Sequence, residues 1–227
     1  MIRRDYLLRI IEQCIQALTR SGELVRRREW PEARCEVDRV ARDLTGHSLT
    51  ELTDRSDSEL TALLLTGEPT QVLHQKALLL AAVLRRAAEI EAGEGRPERA
   101  LIFSTKGLRV ALDVCLREGI FEMPEFVPKV EHFVTMIGVE NLTLDLRAAL
   151  LQFYERSGQY AKGEDALFWI LELEPRNPAV IQFGIQFYER LSRQSDEALI
   201  LGDLPRDEVE TGLRELRERL EAIGKRG

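Results

Sequence analysis

The chain has 227 residues, 44% of them hydrophobic, which is enough apolar material for one large or two small cores and too much for a disordered chain. Its net charge of −7 is spread as +2 over residues 1–44, −5 over 45–141 and −4 over 142–227, so no segment supplies the basic field that phosphate neutralisation needs, and nucleic acid is not an expected partner. No stretch reaches the roughly 18 uninterrupted apolar residues of a membrane span, so no membrane partner is expected.

Residues 4–21 place Leu7, Leu8, Ile11, Cys14, Ile15 and Leu18 at three- and four-residue intervals, which predicts an amphipathic helix ending at Ser21-Gly22. Asp5, Arg9, Glu12 and Gln13 interrupt the stretch too often for a signal peptide. A second helix is expected from Glu29 to Leu44, with Trp30, Ala33, Val37, Val40, Ala41 and Leu44 on one face and Pro31 in its first turn. Arg26, Arg27 and Arg28 fall between the two as a solvated turn, so residues 1–44 read as a helical hairpin. Residues 45–70 are dense in Thr, Ser, Asp and Gly; Ser48 and Ser56 look like caps of two short helices, and this stretch is the expected hinge.

From Gln71 to Ala92 a long helix carries Leu73, Ala77, Leu80, Ala81, Leu84, Ala88 and Glu91 on its period, until Gly93 and Gly95 stop it. Pro97 opens the next helix, which ends at Gly119. Another follows with Val130, Phe133, Val134 and Ile137 facing inward; the sequence leaves open whether Pro128 lies in its first turn or kinks it. Residues 142–156, 159–173 and 177–193 are three further helices, and Pro205 starts a last one with Val209, Leu213, Leu216, Leu220 and Ile223 at helical spacing. No strand pattern occurs.

The string "QFYER" stands at Gln152 and again at Gln186, which puts Tyr154 and Tyr188 34 residues apart. That period, over two helices, resembles the tetratricopeptide repeat. With Pro175 as the closing proline, Leu150, Leu151 and Tyr154 fill the first-helix positions, Gly158 and Tyr160 the turn, and Leu167 and Ile170 the second helix. Gly163 and Ile170 fall where the motif has two small residues, and Arg147 stands where it usually has Trp. Weaker echoes lie upstream, at Trp30 and Ala33 and at Gly95 and Ala100. The two ends of the chain, "MIRRDYLLRIIEQ" and "FYERLSRQSDEALILGDLPRDEVETGL", also resemble a bacterial family of unknown function with tetratricopeptide-like helices.

Chemistry-bearing patterns are absent. His47, His74 and His132 sit in no metal-binding spacing, and there is no phosphate loop, dinucleotide fingerprint or serine elbow, so neither catalytic residues nor a metal or cofactor are expected. Cys14, Cys35 and Cys115 form no CxxC pair and lie beside aliphatic residues, which fits free thiols in a reducing, cytoplasmic compartment. Most of the cluster Phe153, Tyr154, Tyr160, Phe168, Trp169, Phe183, Phe187 and Tyr188 has the spacing of core.

The expected fold is all-α, about nine to eleven helices in antiparallel hairpins stacked as a tetratricopeptide-like α-solenoid. Its expected domains are an N-terminal hairpin (1–44), short helices and hinge (45–70), and a repeat region with a C-terminal capping helix (71–227). The resemblance implies that first helices line a groove, with Asp145, Gln152, Arg156, Gln186 and Arg190 as candidate binding residues for a protein or peptide partner. The function expected is a non-enzymatic scaffold. Two alternatives stay open: a homo-oligomer paired through the stripe on residues 4–21, which Ile11→Glu should dissociate without unfolding the protomer, and a helical protein with a small-ligand pocket.

Overall fold

Every regular element among the described residues is a helix; the structure, a computed structural model, describes residues 2–56, 59–60, 62–63 and 70–224, and only the backbone of 2–8 and 70–73. The chain divides into two compact units, Met1–Leu142 and Thr143–Gly227. That division falls elsewhere than the boundaries read at residues 44 and 70. The hinge expected over 45–70 includes residues 57–58, 61 and 64–69, which lie outside the described residues.

The first unit holds α1 (Ile2–Arg26), α2 (Trp30–Thr45), α3 (Leu49–Asp54), α4 (Thr70–Gly93), α5 (Pro97–Glu118), α6 (Val130–Ile137) and a short 3-10 turn (Val139–Asn141). Its organiser is α4, which packs against α1, α2 and α5. Ala77 to Leu84 are all buried, eight in succession, because a helix enclosed on every side needs no polar stripe. Burying Leu78, Leu79, Leu80, Val83 and Leu84 supplies on the order of 10 kcal/mol. The periodic reading found one face of α4; its neighbours cover the others. At Gly107 in α5, an added Cβ would come 2.7 Å from the Phe133 ring and 3.3 Å from the Ala81 carbonyl, so glycine sets how closely α5 meets α4 and α6.

Two expectations for α1 are corrected. The helix does not stop at Ser21-Gly22 but runs to Arg26, since the Ser21 hydroxyl donates to the Leu18 carbonyl (2.8 Å) inside its own helix and Gly22 is buried. Three residues of the apolar stripe, Ile11, Cys14 and Leu18, are buried together with Ala17 in a helix that packs on α2 and α4, while the side chains of Leu7 and Leu8 lie outside what the structure describes. Ile11→Glu would therefore attack the core of the unit, not a free face. Arg26, Arg27 and Arg28 form the exposed turn, with Arg28 at a left-handed φ of 62°. Ser48 and Glu51 make a capping box at α3, and Ser56 and Glu59 exchange the same bonds ahead of residues only partly described. Pro128 lies before α6 and does not kink it.

The second unit holds α7 (Leu144–Arg156), α8 (Tyr160–Leu173), α9 (Pro178–Leu191), α10 (Asp196–Leu201) and α11 (Arg206–Gly224). α7 pairs with α8 across Gly158 (φ 75°), α8 meets α9, and α9 pairs with α11. Asn177 caps α9 by accepting from the Ala179 N–H (3.0 Å), with Pro178 as its first residue. Gly184 of α9 lies between Leu167 and Leu216, where a Cβ would come 3.0 and 2.6 Å from their methyl groups. α10 did not show in the hydrophobic pattern: Leu199 alone is buried in it, while Ile200 and Leu201 are 66% and 86% exposed.

Candidate functional site

The two QFYER copies lie on α7 and α9 and repeat their side-chain geometry. Phe153 meets Tyr154 edge to face at 5.6 Å, and Phe187 meets Tyr188 the same way at 5.3 Å. All four rings are buried, and the following serines, Ser157 and Ser192, donate back to the tyrosine carbonyls at 3.1 and 2.8 Å. The aromatic pair anchors each helix from below, which leaves the polar letters of the repeat on the outside.

There the repeat is joined to itself. Arg190 of the second copy donates from Nε and Nη2 to the two oxygens of Glu155 in the first, at 2.6 and 2.8 Å. Glu189 in turn accepts from Arg217 of α11 at 2.8 Å, so each glutamate is answered by an arginine from a later helix. This bidentate rung links α7 to α9 and alters the reading of Arg190: its guanidinium is engaged by Glu155 and does not stand ready for a ligand carboxylate. Gln152 and Gln186 sit one helical turn before Glu155 and Arg190, respectively, and both are exposed, as are Arg156 and Asp145. Asp145 accepts from the Thr143 hydroxyl at 2.5 Å, near the start of α7. Gln152 and Gln186 thus stand one turn from the two ends of the rung, while Asp145 belongs to the helix end.

Behind this face lies a half-buried acid, Glu164, which with Asp165 reads in the sequence only as an acid near a helix start. Glu164 of α8 accepts from the Tyr188 hydroxyl at 2.6 Å. Burial pushes the Glu164 carboxyl above the usual carboxylate range; the Tyr188 hydrogen bond works the other way, and Glu208, Asp165 and Glu215 add to the rise. Burial also raises the Tyr188 phenol, with Glu164 adding to the effect. The missed signal was the departure of Glu164 from a surface position, visible only once Tyr188 is placed above it.

Two of the three free thiols are inert by position, since burial pushes Cys14 up to about 11 and Cys115 up to about 12; Cys35 is exposed. Among the described residues no group of His, Cys, Asp and Glu is placed to hold a metal ion, and no helix is long and apolar enough to cross a membrane. Fold and site together define an all-helical protein whose second unit carries a duplicated, ion-paired helix face. The chain belongs to the family of unknown function DUF6483, whose model matches residues 1–221. No curated protein and no solved structure matches it.

Proposed function

We propose that this chain is a non-enzymatic helical scaffold, tetratricopeptide-like in its second unit, that holds an extended protein segment along the face shared by α7 and α9. The observation that carries the reading is the duplicated geometry: two like aromatic anchors, 34 residues apart, leave Gln152 and Gln186 exposed on helices that the Glu155–Arg190 rung joins. Exposed amides offer a donor and an acceptor each, the pairing that an extended backbone requires, at little desolvation cost. Arg147 stands where the motif usually has Trp, yet it is buried and donates to the Trp169 carbonyl of α8, so it ties the hairpin as the ring would. Buried free thiols at Cys14 and Cys115 support a reducing compartment, the cytoplasm.

The test is capture from a lysate of the producing cells by wild type and by a Gln152→Ala, Gln186→Ala variant of equal thermal stability. A protein held by wild type and lost by the variant supports the face; equal capture by both places the binding surface elsewhere. Arg190 is left intact because its removal would also undo the rung.

A further inference from the structure

A cavity of about 240 Å³ lies inside the first unit, where α1, α4, the loop ahead of α6 and α6 itself come together. Its polar wall is a single stretch of α4. Arg85 and Arg86 stand four and three residues before Glu89, so helical spacing turns both cations toward one carboxylate. Arg85 Nη1 lies 2.8 Å from Glu89 Oε1, and Arg86 donates to Glu89 Oε2. Two guanidiniums therefore share one negative charge.

Arg85 is the less satisfied of the two. Its side chain is 15% exposed, its Nη1 is paired with Glu89, and its Nε is buried with no acceptor among the described residues. Burial lowers the Arg85 pKa, and the attraction of Glu89 does not make up for the lost water. Arg86 is hemmed in from the far side: a Cβ on Gly22 of α1 would come 2.9 Å from its Nη2, so the glycine leaves the room its guanidinium occupies. The rest of the lining is Leu18, Ala82, Phe126 and Pro128, together with Glu125 and His132 at exposed positions.

We propose that this cavity binds a small monocarboxylate with an apolar body, the carboxylate against Arg85 and Arg86 and the hydrocarbon against Phe126 and Leu18. Three features choose this class. Along α4 the two cations outnumber Glu89 by one, and Glu125, the other carboxylate of the lining, stands at an exposed position where water screens it, so a single negative charge is matched at the α4 wall and a second is not. A planar guanidinium matches the carboxylate edge. The volume lies just below the roughly 300–1,000 Å³ of drug-sized pockets, which limits the ligand to a handful of heavy atoms beyond its carboxylate.

The experiment uses the full chain with three probes, benzoate, its neutral analogue benzamide, and inorganic phosphate, read by calorimetry and by saturation-transfer NMR. Benzoate is expected to bind saturably, at least tenfold tighter than benzamide and tenfold tighter than phosphate, and Arg85→Met should lose at least tenfold in benzoate affinity. Should Arg85→Met not fold, Phe126→Ala, in the loop wall, carries the test and is expected to weaken benzoate severalfold. Equal binding of benzoate and benzamide, preference for phosphate, no saturable binding, or wild-type affinity in a folded Arg85→Met overturns the assignment. None of these outcomes bears on the α7–α9 face.

Discussion

In the first unit Glu91 of α4 is 2% exposed and accepts hydrogen bonds from Arg34 of α2 and from Arg96, whereas in the second unit Glu164 accepts one from a phenol and is ringed by other acids. Burial opposes ionisation of both. For Glu91 the two arginines outweigh it and hold the carboxyl below the usual range; for Glu164 nothing of opposite charge does, and the carboxyl rises. The same side chain is thus a clasp in one unit and a stored cost in the other, and what decides is the sign of its neighbours, not the depth of its burial.

The largest test of this contrast is Glu91→Gln beside Glu164→Gln. Removing one partner of a buried pair costs about 3–5 kcal/mol; Arg34 and Arg96 are partly exposed and keep Glu94, so a loss of about 3 kcal/mol is expected for Glu91→Gln. Glu164→Gln keeps an acceptor for the Tyr188 hydroxyl and sheds the charge, so stability should hold or rise by up to about 1 kcal/mol. Urea unfolding reads each unit separately in single-tryptophan backgrounds, Trp169→Phe leaving Trp30 to report the first unit and Trp30→Phe leaving Trp169 to report the second. A loss of under 1 kcal/mol at Glu91 would make its cluster an ordinary surface network.

Glycines sharpen the comparison at about 2 kcal/mol. Gly107→Ala drives a methyl into the Phe133 ring and close to backbone, and overpacking of about 1–3 kcal/mol should exceed the helix-propensity gain of about 1 kcal/mol. Gly184→Ala meets only leucine methyl groups, which rotate away, so its net change should lie within about 1 kcal/mol of zero. Equal melting shifts for the two variants would contradict this account.

Acid should move the units in opposite directions. Glu91 has a depressed pKa in the folded chain, so its contribution is present above the unfolded value of about 4.3 and is lost as pH falls below it. Glu164 has a raised one, so its stability is full below about 4.3 and is lost as pH rises through the folded value. Hydrogen exchange corrected for intrinsic rate, taken from pH 7 downward, should show α8 and α9 gaining protection before α4 begins to lose it. The smallest effect is expected at Glu155→Gln: Arg190 is 43% exposed, so the rung is worth under about 1 kcal/mol and should vanish in high salt.

The helices themselves were legible because proline and glycine punctuate them: Pro97, Gly119, Gly158 and Pro178 mark the boundaries the structure has. The duplicated face was legible for the same local reason, a five-residue string carrying both its anchor and its polar letters. What failed were features settled across space. Ser21-Gly22 reads as a stop until Arg86 occupies the room the glycine leaves, and Glu91 reads as a stray charge on an apolar period until two arginines reach it. The engagement of Arg190 likewise depends on Glu155, 35 residues away.

The enclosure of α4 also sets an order of events during synthesis. Residues 1–54 leave the ribosome before the helix they wrap, and α5 follows only after α4; at about 5–20 residues per second that interval is several seconds or more. Through it, the apolar faces of α1 and α2 have each other but not their main partner. Nascent chains halted before residue 70 are therefore the species that chaperones and proteases should find, while those released past Glu118 should already be sheltered.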